Sequence, residues 1–335
     1  MSAVLSEPQR RRNAIHIRMS PAPLTNPFTR REFCRAAAGI AALMLPGPLA
    51  AQFRAMPRAG PARPHPTPDE ERLGAWTAAI RTAGLARREL PIGRAAVAVG
   101  ERAAGTPYRP GTLDAYLRAG GNPANEPLTA SLTRFDCVTL VESCLAVARV
   151  AAREAHPSWA GFGRELERMR YRGGVRRGYI SRLHYFSEWI SDGAARGLVR
   201  DLGKELGGVT DVRSLRFMSE HRASYPALRD DATFEAIRRI EREVDARSRF
   251  VVPTKLIPQV ADRIQTGDVL AFATEIPGLD VTHAAFAYRA PDGVLRVLHA
   301  PLSGGVVEIT RTTLPEYVAA IRRSTGILVA RPAWG

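Results

Sequence analysis

An α+β domain, with helices packed on an antiparallel sheet, is the fold class that this 335-residue chain predicts. Two observations carry that expectation. Apolar residues recur at helical spacing up to about residue 247, and from residue 249 onward the period changes to that of strands joined by hairpin-length turns such as Pro291-Asp292-Gly293. Helices first and strands afterwards argue for an antiparallel sheet rather than a parallel one with crossovers.

The elements follow in order. Thr67-Pro68-Asp69-Glu70-Glu71 supplies a Thr cap, a Pro at the first helical position and acids in the first turn, so folding begins there. A second helix is expected over residues 91–104, ending at Gly105. Gly105-Thr106-Pro107-Tyr108-Arg109-Pro110-Gly111 is dense turn chemistry, and a loop through Gly120-Gly121-Asn122-Pro123 leads to a helix opening at Cys137. Helical patterns return over 159–169, 184–196 and 233–247. Strands are expected at 250–252, 268–272, 281–288, 294–299, 305–309 and 326–331, with a short helix near 314–321.

The segment before the domain is an address. Thr29-Arg30-Arg31-Glu32-Phe33, a modest apolar run over 36–45 and then Pro46-Gly47-Pro48-Leu49-Ala50-Ala51 make a twin-arginine export signal over residues 1–51, with Met19 an alternative start. The apolar run is well short of the ~20 residues a spanning helix needs. Cys34, within it, lacks the small and apolar residues that precede a lipid-attachment cysteine. Residues 52–66 are a disordered Pro/Ala/Arg linker, and 67–335 form one domain. The expected location is periplasmic, the expected export partner is the twin-arginine machinery, and no stable membrane span is expected in the mature chain.

The formal net charge is +15, of which residues 1–51 hold +5 from seven arginines and two glutamates, leaving +10. Lys204 and Lys255 are the only lysines, and the arginines are interleaved with acids, as in Arg238-Arg239-Ile240-Glu241-Arg242-Glu243. That spacing describes salt-bridged helix faces rather than a phosphate-binding stripe, which argues against nucleic acid and leaves an acidic wall polymer as the partner for the excess charge.

Phe135-Asp136-Cys137-Val138-Thr139-Leu140-Val141-Glu142 puts a cysteine at the first turn of an apolar helix. A helix N-terminus favours thiolate over thiol, so Cys137 is the candidate nucleophile, whereas Cys144 lies among apolar residues at helical spacing and is expected in the core. Seven residues apart on one helix, their Cα atoms are about 10 Å apart, too far for a disulfide. A thiolate needs a base and the base an orienter. His283 and His299 lie on strands that the 291–293 turn pairs, so His283 can take the thiol proton while His299 fixes its tautomer.

At these residues the chain resembles a known family. Gly267-Asp268-Val269-Leu270-Ala271-Phe272, His283 on the next strand, and Leu298-His299-Ala300-Pro301 leading into Gly304-Gly305-Val306-Val307 look like the strand half of NlpC-type papain-like cysteine hydrolases of peptidoglycan. Asp136-Cys137 resembles their nucleophile motif and Gly105-Thr106-Pro107-Tyr108 the turn before it. Phe135-Asp136-Cys137-Val138-Thr139, Arg182-Leu183-His184-Tyr185-Phe186 and Gly278-Leu279-Asp280-Val281-Thr282-His283 are closer to the N-acetylmuramoyl-L-alanine amidase-like branch, over about residues 73–333.

The resemblance implies a papain-like core whose nucleophile helix packs on the sheet, with extra helices inserted between the two. It makes Cys137 the nucleophile, His283 the base and His299 the third polar residue. Tyr108 is then expected near the developing oxyanion, and Asp136, His184 and Tyr185, with Arg182, on the substrate cleft. The substrate it implies is peptidoglycan or a muropeptide, cut at the muramoyl–alanine amide, with a stem-peptide amide as the alternative. Val138 stands where NlpC endopeptidases usually carry Ser. No cofactor and no metal are expected: Cys137, His184, His283 and His299 lack any short paired zinc spacing. A non-catalytic wall-binding module with the same fold is the rival from another class.

Overall fold

A computed structural model describes residues 66–335; the expected export signal and all of the expected linker but residue 66 lie outside the described residues. The helices are α1 (Pro68–Thr82), α2 (Ile92–Arg102), the one-turn α3 (Ala115–Arg118), α4 (Cys137–Arg153), α5 (Trp159–Arg170), α6 (Phe186–Ala195), the one-turn α7 (Phe217–Glu220), α8 (Asp231–Asp245), the one-turn α9 (Ile257–Val260) and α10 (Leu314–Ala320). The strands are β1 (Val199–Asp201), β2 (Val209–Asp211), β3 (Arg249–Pro253), β4 (Val269–Thr274), β5 (Val281–Arg289), β6 (Leu295–His299), β7 (Glu308–Ile309) and β8 (Ser324–Pro332). Every strand pair is antiparallel, in the order β2-β3-β8-β4-β5-β6-β7, with β1 also pairing β8. The fold is α+β.

Both faces of the sheet are covered, which is why β4 reads as an unbroken apolar run and is buried at all six positions. Val269, Ala271 and Ala273 face the cluster built by α1, α2 and α4, where Leu140, Val141 and Cys144 pack at 0% exposure. Leu270 and Phe272 face the other side, with Ile257, Val260, Leu314 and Val318 of α9 and α10. A satellite cluster of Tyr179, Tyr185, Leu215, Met218, Leu228, Ile237 and Ile240 holds the segment between α5 and β3 together.

Helices do not all precede strands. β1 and β2 sit inside the helical half, as three-residue strands with mostly exposed side chains, too short to show a period of two. The last strand, β8, lies centrally between β3 and β4. The helix expected over 184–196 starts at Phe186, so His184 and Tyr185 precede it, and the strand expected over 305–309 is only Glu308–Ile309. Among the described residues no helix is long and apolar enough to cross a membrane.

Candidate active site

Cys137 is the first residue of α4 because its neighbours cap the helix. Asp136 Oδ1 accepts from the Thr139 N–H at 2.8 Å, and Thr139 Oγ1 accepts from the Asp136 N–H at 2.9 Å. A reciprocal cap of this kind stabilises a helix start by about 1 kcal/mol and fixes the backbone on both sides of the thiol. At the far end of α4, Arg81 donates to the carbonyls of Ala151, Glu154 and Ala155.

The turn before the Cys137 segment is stitched to two places. The Arg109 N–H donates to Phe135 O at 2.7 Å and the Phe135 N–H to Pro107 O at 3.1 Å, while the Tyr108 N–H donates to Gly305 O at 2.7 Å. One loop thus ties the start of α4 to the segment after His299.

On the sheet, the register β4–β5 shifts between Phe272 and Ala273: His283 pairs with Phe272 and Val281 with Ala273, leaving Thr282 as the extra residue. A bulge of this kind re-aims the adjacent side chain. The His283 ring stacks on Phe272, with centroids 5.6 Å apart. In β5–β6 the paired residues Phe286 and Leu298 make His299 the diagonal neighbour of His283, and His283 Nε2 lies 2.8 Å from His299 Nδ1.

Tyr317, on α10, brings its hydroxyl to 3.3 Å from His299 Nδ1, and Glu308 Oε1 stands 3.6 Å from His299 Nε2, a buried atom without a hydrogen bond. Tyr317 and Glu308 were not singled out in the sequence. The signal available was weak: Glu308 lies nine residues beyond His299 on the neighbouring strand, and Tyr317 in a capped helix beginning Leu314-Pro315-Glu316.

A cleft of about 320 Å³ opens at the thiol. Tyr108, Asp136, Cys137, Val138, Arg182, His184 and Tyr185 line it, together with Phe217, Met218 and Tyr225 from the segment between α5 and β3. His283 and His299 are not among the lining residues. Several lining groups are already engaged. Tyr185 donates its hydroxyl to Glu241 at 2.8 Å, Arg182 pairs with Glu126 at 2.8 Å and Asp114 at 2.9 Å, and Asp136 Oδ2 accepts from Thr112 at 3.0 Å. His184 donates from Nε2 to the Tyr179 carbonyl at 2.9 Å, which leaves Nδ1 as an acceptor.

The electrostatics depart from the expected low thiol pKa. Burial pushes Cys137 up to about 11, Asp136 beside it adds to the rise, and the N–H groups of Ala284, Val138 and Cys137 oppose it only in part. Burial, then His299, pulls His283 down to about 3, and burial pulls His299 down to about 4. The helix terminus is present but does not prevail over desolvation, so thiol and imidazoles rest neutral. If His283 gives its Nε2 proton to the hydrogen bond with His299, its Nδ1 carries a lone pair and can accept a proton. No hydrogen bond joins the thiol to His283 among the described residues, and catalytic contacts of this kind often tighten only when substrate is bound. Among the described residues no three His, Cys, Asp or Glu side chains converge as a metal-holding group.

A buried-sheet α+β domain with a thiol, two linked imidazoles and a cleft is the class defined so far. The family described as N-acetylmuramoyl-L-alanine amidase-like matches residues 98–327, and the chain belongs to it. Two crystal structures of an N-acetylmuramoyl-L-alanine amidase from Bacteroides uniformis superpose with a TM-score of 0.65, at 29% and 30% identity, each covering 72% of this chain and 98% and 99% of their own. A Bacteroides fragilis protein named as a candidate xylanase is similar at 32% identity and a TM-score of 0.63, over 69% of this chain and 98% of that one. No curated protein matches the chain.

Proposed function

We propose that this protein is an exported peptidoglycan hydrolase with a papain-like, NlpC-type core, which cuts the amide between the muramoyl lactyl group and L-alanine through an acyl-enzyme on Cys137. The observation that supports it most is the placement of Cys137 at the head of α4, on a cleft, in a helix packed on β5, whose His283 is linked to His299 of β6. Family membership supports the substrate class and action outside the cytoplasm. The twin-arginine reading of residues 29–51 supports a periplasmic location.

In this mechanism the Cys137 sulfur attacks the lactyl carbonyl carbon while His283 Nδ1 takes the thiol proton. Because both groups rest neutral, the transfer accompanies the attack rather than preceding it. The N–H groups at the head of α4 and the Tyr108 hydroxyl stabilise the oxyanion. His283 returns the proton to the departing L-alanine nitrogen, releasing the stem peptide and leaving a thioester. Water, deprotonated by His283, then hydrolyses the thioester to the lactyl carboxylate and restores the thiol. His299 holds the His283 tautomer throughout.

The alternative within the fold is a stem-peptide endopeptidase. Val138, which lines the cleft where those enzymes usually place a hydroxyl, favours the amidase. Glycoside hydrolysis needs two free carboxyl groups flanking the bond. The cleft carboxylates Asp114 and Asp136 are held by Arg182 and by the α4 cap, which favours amide chemistry. Turnover of purified peptidoglycan tests the reading: it should persist with chelator present and vanish in Cys137→Ser. Metal content near one per chain that tracks activity would overturn it in favour of a zinc amidase, and undiminished Cys137→Ser activity would overturn the acyl-enzyme.

A further inference from the structure

A second cavity, of about 420 Å³, lies across the Thr112–Leu113 segment from the cleft, and Leu113 lines both. Thr139 and Ser143, one turn apart on α4, form one wall, and Arg170, the last residue of α5, contributes another. Arg109, Arg118 and Arg134 also line it, and no lining residue is acidic.

The carboxylates that approach this wall are bonded to Ser131, Thr139 and Arg170 of the lining, and none of them pairs with Arg109, Arg118 or Arg134 among the described residues. Asp69 Oδ1 accepts from the Leu132 N–H at 2.7 Å and from the Ser131 hydroxyl, Asp136 caps α4, and Glu142 pairs with Arg170 at 2.7 Å. Arg118 donates only to the Gly111 carbonyl, at 2.9 Å, and Arg109 and Arg134 form no ion pair among the described residues. Elsewhere among the described residues many guanidiniums sit in ion pairs, as in Arg172–Glu188, Arg182–Glu126 and Arg331–Asp268. Three exposed guanidiniums without an ion pair around one cavity repel one another, and a bound anion adds an attraction to each that offsets this repulsion.

We propose that this cavity is an anion subsite, which takes free carboxylates of the stem peptide whose muramoyl amide is cut at Cys137. The guanidinium fork matches a carboxylate bidentately, and the Ser143 hydroxyl, which makes no hydrogen bond among the described residues, adds a neutral donor. The subsite rests on the reading given under Proposed function and assigns the recognition of substrate charge to a place distinct from the thiol.

The test is calorimetry on the full-length Cys137→Ala protein with synthetic stem peptide, free or amidated at its side carboxylates, and with inorganic phosphate. Free peptide should bind at least about tenfold more tightly than amidated peptide, and Arg109→Gln/Arg134→Gln should erase that difference while leaving the melting temperature within a few degrees. Equal binding of the two peptides, or a preference untouched by the double substitution, would overturn the subsite. Phosphate competing as well as free peptide would overturn the stem-peptide assignment. Turnover of peptidoglycan by the native enzyme is scored separately. Cleavage with no charge preference sinks the subsite alone, and Arg-dependent binding without any cleavage sinks the enzymatic reading and leaves a binding module.

Discussion

His283 Nε2 lies 2.8 Å from His299 Nδ1, joining two imidazoles that are diagonal neighbours on β5 and β6, His283 against the Phe272 ring and His299 against the Tyr317 ring. The two rings should carry unequal work. His283→Ala should lower turnover by about 10²- to 10⁴-fold, the usual range for a general base. His299→Gln, which can still form one hydrogen bond to Nε2, should leave a measurable remnant. Turnover on muropeptides beside thermal melting reads this out. Near-normal activity in His283→Ala would reverse the roles, and collapse of both melting temperatures would make the pair a structural one.

The thiols should differ in reactivity despite both being raised. Burial pushes Cys137 to about 11 and Cys144, at 0% exposure, higher still. Iodoacetamide should label Cys137 first, at a rate that climbs with pH above neutrality. Asp136→Asn keeps a capping side chain but removes the second cause of the rise, so labelling near pH 8 should quicken with little loss of stability. Equal, slow labelling of both cysteines would count against a reactive Cys137.

Acid should destabilise the fold. Burial, with help from Arg182, holds His184 at about 3, while His283 and His299 sit at about 3 and about 4. The unfolded chain takes up these protons near pH 6.5. Between there and pH 3–4 it therefore binds more protons than the folded chain, and stability present above pH 6.5 is lost as pH falls. His184→Gln, which keeps an N–H for the Tyr179 carbonyl, should flatten the drop in melting temperature between pH 7 and pH 4. An unchanged slope would show that His184 is not protonated on unfolding.

Much of this arrangement was legible in the sequence. The capped helix start at Thr67 was readable, as were the helix opening at Cys137 and the change to strands from residue 249. The hairpin that carries His283 and His299 followed from its turn. What stayed hidden depends on residues distant in sequence: β8 inserted between β3 and β4, the edge strands β1 and β2, and the contacts of Glu308 and Tyr317 with His299. The raised thiol pKa stayed hidden too, because a helix N-terminus is visible in sequence and desolvation is not.

The Gly267-Asp268 motif has a structural account. Gly267 adopts φ +89°, and a Cβ there would lie 2.2 Å from the Gly93 backbone of α2, while Asp268 binds Arg331 at 2.8 Å. Gly267→Ala should destabilise by roughly 2–5 kcal/mol from strain and overpacking together. Gly84→Ala, at φ +67° with open space around it, should cost about 1 kcal/mol. Denaturant titration of the two variants compares them, and equal costs would show that the α2–sheet contact can relax.

The most direct measurement is to digest purified peptidoglycan with the native enzyme and weigh the products. The account predicts free stem peptides with an L-alanine amino terminus and glycan strands whose lactyl groups end in carboxylate, none of them formed by Cys137→Ala. Fragments that keep L-alanine on the muramoyl group, with cleavage inside the stem or in the glycan, would contradict it.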